Sequence, residues 1–205
     1  MMLVELTAPA ADVLPVAELR DHLRLGSGFD IAADPAETAA LAGFLRAAIA
    51  TIEARTGKVL LSRQFRLRLD DWRDPEGQPL PLAPVASVDQ IEIDNGAGKV
   101  TTLDPAGWRL LPDMQRPLLM PRSAFLPVIP DAGFVTITFR AGFGLAWSAV
   151  PADLAQAVLL LAARYYEDRS FEGSQAAMPF GVSALIERWR AVRVLGGRGK
   201  LRGRA

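Results

Sequence analysis

The glycine-rich run near the C-terminus is the first place where residue types and spacing could do chemistry. Gly196, Gly197 and Gly199 precede Lys200, and glycines before a lysine can surround a phosphate with backbone N–H groups. Such a loop also needs Ser or Thr after the lysine and a position between a strand and a helix, whereas Leu201 follows here. We therefore interpret the run as part of a basic tail and not as a nucleotide site.

Two acidic clusters could hold a cation. Asp70, Asp71 and Asp74 follow a predicted strand, and residues 94–96 (DNG) begin like a calcium-binding loop. That loop would need a glutamate to close its frame, but the corresponding position is Pro105. We interpret the first cluster as a solvated turn and the second as a hairpin turn.

A third acidic group, at residues 167–172, follows two tyrosines and could suggest acid–base chemistry. Acid–base chemistry there would need a histidine partner, and His22 is the single histidine of the chain. His22 does not form an acid–base pair with Asp21 either, because adjacent residues of a helix point in different directions. We expect these acids to form surface ion pairs with Arg164 and Arg169 at i,i+3 and i,i+4 spacing.

The composition excludes many other classes of site. The chain has no cysteine among its 205 residues, so disulfides, cysteine-ligated zinc, iron–sulfur clusters and thiol nucleophiles are excluded. The nucleophile motif GxSxG is absent as well. We therefore predict that the protein is not an enzyme and needs no cofactor and no metal.

Charge segregation is the strongest functional signal. The whole chain balances 23 basic against 23 acidic residues, yet residues 188–205 contain seven basic residues and no acidic one. Such an end indicates an anionic partner, either a phosphate backbone or an acidic protein surface; a solubilising end without a partner is the alternative. Together with an interleaved tryptophan, the candidate contact residues are Arg188, Trp189, Arg190, Arg193, Arg198, Lys200, Arg202 and Arg204.

Hydrophobic spacing predicts four helices that must position this tail. The first covers residues 15–25, and the second has Asp34 as its N-cap, an alanine-rich body and Gly57 as a left-handed stop. A third helix begins near Pro151, and a last one covers residues 182–194.

Between the second and third helices the period changes from helical to alternating, as in residues 65–69 and 135–139. The predicted fold class is therefore α+β: a helical bundle with an inserted antiparallel β block. The N-terminus lacks the features of a signal peptide and no apolar stretch is long enough to span a membrane, so we expect a soluble protein. The predicted segments are N-terminal helices (1–59), inserted β block (60–149), C-terminal helices that complete the helical core (150–195) and a basic flexible tail (196–205).

Short motifs add a resemblance to a known family. In order and spacing, residues 13–194 resemble the head–tail connector (adaptor) proteins of long-tailed phages and gene transfer agents. The motifs that carry the resemblance are HLRL at 22–25, TGKVL at 56–60 with Gln64-Phe65, FRAGFG at 139–144, VPADL at 150–154, YEDR at 166–169, PFGV at 179–182 and Trp189-Arg190.

The resemblance implies a structural protein that forms a ring, usually of twelve copies, between the portal and the tail of a phage-like particle. It implies as partners the portal protein, a tail-side connector or stopper protein, and double-stranded DNA that passes through the channel without sequence-specific contacts. It implies no membrane partner, assembly in the bacterial cytoplasm and a final location at the head–tail junction. The eight C-terminal residues named above are then portal or DNA contacts. The alternative is a DNA-binding accessory protein that uses the arginine-rich tail.

The first prediction concerns metal content. Because the chain lacks cysteine and has one histidine, we expect elemental analysis of the purified protein to find no stoichiometric metal. One bound metal ion per chain would contradict this interpretation.

Overall fold

A computed structural model describes residues 1–25, 34–168 and 178–190. It confirms the predicted α+β class, with four helices and two antiparallel sheets in the described residues and the main strand block between the second and third helices. The helices are α1 (Val16–His22), α2 (Pro35–Thr56), α3 (Ala152–Glu167) and α4 (Phe180–Ile186). The strands are β1 (Met2–Glu5), β2 (Arg63–Leu69), β3 (Gln78–Pro79), β4 (Val85–Asp94), β5 (Val100–Thr102), β6 (Trp108–Leu111), β7 (Leu118–Pro121) and β8 (Phe134–Ala141).

The ends of the two N-terminal helices are determined by a capping side chain and by residues with a left-handed backbone. The Asp34 side chain accepts a hydrogen bond from the Ala36 N–H at 2.9 Å, and Gly57 takes a left-handed φ of 67°, so both predicted ends of α2 are confirmed. The prediction for the first helix was too long, because α1 ends at His22. The next residues form a left-handed turn with Arg24 at φ 52°, in which the Leu25 N–H bonds to the Arg20 carbonyl.

The helices form one hydrophobic core with α3 at its centre. This helix packs against α1, α2 and α4. Of the core positions that hydrophobic spacing predicts for it, Leu154, Ala157, Val158 and Leu161 are buried, whereas Tyr165 is only half-buried. A polar contact also joins α2 to α3, where the hydroxyls of Thr51 and Tyr165 lie 3.0 Å apart.

The strands form a second core between two sheets. The larger sheet has the order β1-β2-β8-β4-β5, and the smaller sheet, β3-β7-β6, lies on the same side as the buried residues of the larger one. The hairpin predicted at residues 94–96 is confirmed, with the Asn95 side chain accepting from the N–H groups of Ala97 and Lys99. The sequence did not predict β1, which lies in the segment assigned to N-terminal helices; all four of its residues are exposed, so it lacks the alternation of a half-buried strand.

Residues 57–63 connect the two cores. Along this segment Val59 packs into the strand core, whereas Leu60 and Leu61 pack into the helical core. Every extensive contact between described elements is otherwise helix to helix or strand to strand. The orientation of the helical core relative to the strand core therefore depends on this short segment and its partners.

A buried ion pair holds the connection. The Arg63 guanidinium donates to both carboxylate oxygens of Glu53, at 3.2 and 2.6 Å, and the Leu60 N–H donates to Glu53 Oε1 at 2.8 Å. Arg63 Nε lies 3.3 Å from a Glu5 carboxylate oxygen, so α2, β2 and β1 meet at one side chain. Burial raises the pKa of Glu53, and the Arg63 charge opposes that rise.

The second prediction concerns this ion pair. Replacing Glu53 by Ala leaves the Arg63 charge buried without its main partner, so we expect a loss of about 3–5 kcal/mol of unfolding free energy in urea denaturation. The paired variant Glu53→Leu/Arg63→Met removes both charges of this pair, leaves neither one buried without its partner, and should lose less.

The exposed pair Arg164–Asp168, 2.6 Å apart, supplies the control. Asp168→Ala should change stability by no more than about 1 kcal/mol. A Glu53→Ala loss as small as that of the control would show that the ion pair does not hold the two cores together.

Candidate functional site

In the described residues the last α-helix is short and a tight turn follows it. The helix predicted over residues 182–194 is confirmed as far as Ile186, but α4 ends there, earlier than predicted, and a 3₁₀ turn follows at Glu187–Trp189. Arg190 is then extended. The tighter winding of the turn brings Trp189 against the start of α3, where it finds a polar and an aromatic partner.

Asp153, in the first turn of α3, is the polar partner. Its Oδ2 atom accepts from Trp189 Nε1 at 2.7 Å and pairs with Arg188 Nε at 2.7 Å, while Oδ1 accepts from the Leu154 N–H. The carboxylate also lies near the positive end of the α3 helix dipole, which stabilises its charge. One side chain thus anchors two consecutive residues of the C-terminal segment.

Phe143 is the aromatic partner, with its ring 5.5 Å from the Trp189 ring in an edge-on arrangement. Its position depends on Gly142, which has φ 134° and lies so close to Ser62 that an added Cβ would be 2.5 Å from the Ser62 Cα. The Ser62 N–H bonds to the Gly144 carbonyl at 2.7 Å. The glycines of the FRAGFG motif therefore allow the loop to touch the segment that connects the two cores.

Two buried residues of α4 complete this C-terminal anchor, which comprises Asp153, Phe143, Val182, Ile186 and Trp189. Val182 and Ile186 are 1% and 3% exposed within the helical core. At the other end of the same helix, Phe180 is 88% exposed. The anchor fixes the chain as far as Arg190 and presents one large apolar side chain to solvent.

Three of the eight predicted contact residues lie in the described part of the chain. Arg188 is exposed beside Asp153 and its guanidinium lies 4.8 Å from the centre of the Trp189 ring. Trp189 is half-buried in the anchor, and Arg190 pairs with Glu187 at 3.1 Å. The residues outside the described part are Arg193, Arg198, Lys200, Arg202 and Arg204. A role of any of the eight in portal or DNA contact stays a prediction.

Sequence reasoning missed Asp153 and Phe143 as functional partners. Asp153 was interpreted only as a helix-opening residue, and the hydrogen bond to Trp189 joins residues 36 positions apart. No local pattern encodes such a pair. The one available signal was that the motifs at 139–144, 150–154 and 189–190 all belong to the family resemblance, which suggests that they contact one another.

The outward side of α2 is a second surface suited to assembly. A line of small exposed residues lies there between the exposed Arg46 and Arg55, and its members recur at alternating spacings of four and three: Ala36, Ala40, Gly43, Ala47, Ala50 and Ala54. Small side chains at this spacing allow another helix to approach closely. The leucines, the valine and the tyrosines of α3, in contrast, are buried or half-buried within the same chain.

The remaining acidic groups behave as turn and surface residues. Asp71 and Asp74 accept backbone N–H groups in the loop after β2. Arg164 and Asp168 form the predicted i,i+4 ion pair at 2.6 Å, whereas the predicted partner Arg169 lies outside the described residues. Among the residues that the structure describes, no group of three His, Cys, Asp or Glu side chains is placed to hold a metal. The same residues include no helix that is both long and apolar enough to cross a membrane.

The third prediction concerns the anchor. Asp153→Ala removes an acceptor from Trp189 and a partner from Arg188, so we expect it to lower the unfolding free energy by about 1.5–3 kcal/mol. Trp189→Phe keeps most of the packing and should lose about 1 kcal/mol. Arg190→Ala removes only an exposed pair and is the control, with an expected change below about 1 kcal/mol in urea denaturation. Equal stability of all three variants would contradict the anchor.

Comparison with known proteins gives the chain its family. No protein-family model matches it, and no curated protein does. It is similar to a chain in the solved neck of an empty GTA particle computed with C6 symmetry, with 60% identity and a TM-score of 0.85. It is also similar to a chain in the virion of a native gene transfer agent (GTA) particle, with 59% identity and a TM-score of 0.83. A third similar chain comes from the neck of a native GTA particle computed with C12 symmetry, with 55% identity and a TM-score of 0.80.

Each of these alignments covers 97% of this chain and 100% of the other. Identity at this level over the whole length includes both cores and the C-terminal anchor. The chain therefore belongs to the family of structural neck proteins of gene transfer agents, which are components of phage-like particles.

Proposed function

We propose that this chain is the adaptor subunit of a ring that joins the portal to the tail and surrounds a channel for double-stranded DNA. The observation that carries the proposal is the full-length similarity to neck chains at 55–60% identity. In this role the chain is a structural protein without catalytic activity. Its functional residues are then surfaces that bind other subunits.

Ring formation is supported by symmetry and by the surface of α2. Two of the similar necks were computed with sixfold and twelvefold symmetry, and twelve copies satisfy both symmetries. A closed ring requires that each subunit offer contact surfaces to two neighbours. The line of small residues on α2 suits one such contact, because it permits a helix of the neighbour to approach closely.

Portal attachment is assigned to the C-terminal segment. The anchor holds the chain as far as Arg190 through Asp153, Val182 and Ile186. The tail that follows therefore leaves the body from a fixed position. Beyond the anchor the sequence has four glycines and basic side chains, and ordering such a tail costs roughly 1–2 kcal/mol per residue unless a partner compensates. Carboxylates on the lower rim of the portal are the partner that we propose.

In a second version of the proposal, the basic tail contacts DNA in the channel and not the portal. Arginines that face the channel would contact phosphates without reading bases. The two versions differ in which property of the particle depends on the tail: attachment to the portal in the first and DNA retention in the second.

The fourth prediction separates these versions. We expect a chain truncated after Leu195 to keep the stability of the whole body, because the anchor is intact, and to lose attachment to the portal. Co-purification of the neck protein with portal-containing particles measures attachment, and nuclease-protected DNA in the particles measures retention.

A matched pair of full-length variants tests charge alone. Replacing Arg198, Lys200, Arg202 and Arg204 by Ser should reproduce the truncation, whereas Lys at the three arginine positions should retain most of the attachment. Normal attachment with reduced DNA retention would favour the channel version. Normal values of both properties in the truncated chain would contradict both versions.

A further inference from the structure

The larger sheet has one face that nothing in the described residues covers. Its opposite face packs into the strand core, whereas this one carries polar side chains in columns along the strands. The pairing register aligns one complete row across the five strands: Met2, Arg68, Thr136, Glu92 and Thr102.

Charge is segregated across this open face. Arg66 and Arg68 project from β2, and both are exposed. Glu92 and Asp94 project from β4, two strands away, which is about 10 Å at the usual strand spacing. The threonines of β8 lie between the two columns. One side of the face is therefore positive and the other is negative.

These four charges have no ion-pair partner among the described residues. Arg68 lies over the Phe134 ring, while Glu92 and Asp94 accept hydrogen bonds from the Gln90 side chain and the Gly96 N–H. The charges nearer the helices behave differently, because Arg140 and Asp89 pair with each other at 3.2 Å. The unpaired charges are thus confined to the half of the face farther from the helical core.

Both edges of the sheet expose apolar side chains next to these columns. Met2 and Val4 of β1 are 55% and 40% exposed beside the arginines, and Val100 of β5 is 54% exposed beside Asp94. Unpaired edges of this kind invite contact with another chain. An open depression of about 260 Å³, lined by Arg66, Glu92, Asp94, Val100, Phe134 and Thr136, offers space on the same face for a neighbour's side chain.

We propose that the β1–β2 side of this face in one copy binds the β4–β5 side of the next copy. The inference rests on the proposed ring, because a head-to-tail ring needs two different and complementary surfaces on each subunit. The two apolar edges then contact each other, and the arginines behind one edge attract the carboxylates behind the other across three strand spacings, about 14 Å. Each copy then uses its β1 side toward one neighbour and its β5 side toward the other. Once the ring is closed, both sheet edges of every copy are covered.

A second copy fits this face better than DNA does. DNA would favour the arginine column but would be repelled by Glu92 and Asp94 on the same surface. A second copy uses both signs of charge and both apolar edges.

The test uses the absence of cysteine from the natural chain. The double variant Val4→Cys/Thr102→Cys places one thiol on each edge of the sheet, and particles that carry it are treated with a short flexible bis-maleimide. We expect a ladder of covalent multimers from the double variant and no dimer from either single variant, because the contact joins unlike edges.

Charge exchange supplies the second arm. Arg66→Glu/Arg68→Glu and Glu92→Arg/Asp94→Arg should each reduce neck incorporation by about tenfold or more, since each places like charges opposite one another. The four changes combined in one chain should restore incorporation to near the natural level. Arg109→Glu, at an exposed position on β6 of the other sheet, is the control and should have no effect.

Absence of cross-links in particles whose necks contain the double variant would overturn this contact and leave the proposed function intact. Dimers from one single variant would replace it by a twofold contact, and failure of the combined charge exchange to restore incorporation would also overturn it. Absence of the natural chain from the neck would instead overturn the proposed function.

Discussion

The bidentate ion pair between Glu53 and Arg63 is the interaction on which the arrangement of this molecule depends. Helices pack on helices and strands on strands, so the two cores are connected mainly by covalent segments. Glu53 is on α2, Arg63 begins β2, and the Leu60 N–H between them bonds to the same carboxylate. This geometry ties the end of α2 to the start of β2 and so connects the strand core to the helical core at this point.

The same connecting segment also positions the C-terminal anchor. Ser62 contacts the glycine loop, which holds Phe143 against Trp189, and Trp189 in turn bonds to Asp153 at the start of α3. A short chain of contacts therefore runs from the centre of the molecule to the base of the basic tail.

Local chemistry explains which elements could be predicted from the sequence. Asp34 and Gly57 determine the two ends of α2 by capping and left-handed conformation, and alternation identified β2 and β8 because one side of each is buried. The short strand β1 was missed because it has no buried side, and α4 was predicted too long because its end depends on Asp153, far along the chain. The sequence identified the motif residues but did not explain why those residue types are needed. For Gly142 the explanation is its close approach to Ser62, and for Trp189 it is the contacts with Asp153 and Phe143.

The central claim is that this chain forms a portal-bound ring through which DNA passes. A cryo-electron microscopy reconstruction of the neck of particles carrying this chain tests it most directly. The account predicts twelve copies around a channel between portal and tail, with the segment after Arg190 in contact with the portal. A neck in which these copies do not surround the channel, or in which the segment after Arg190 points away from the portal, would contradict it.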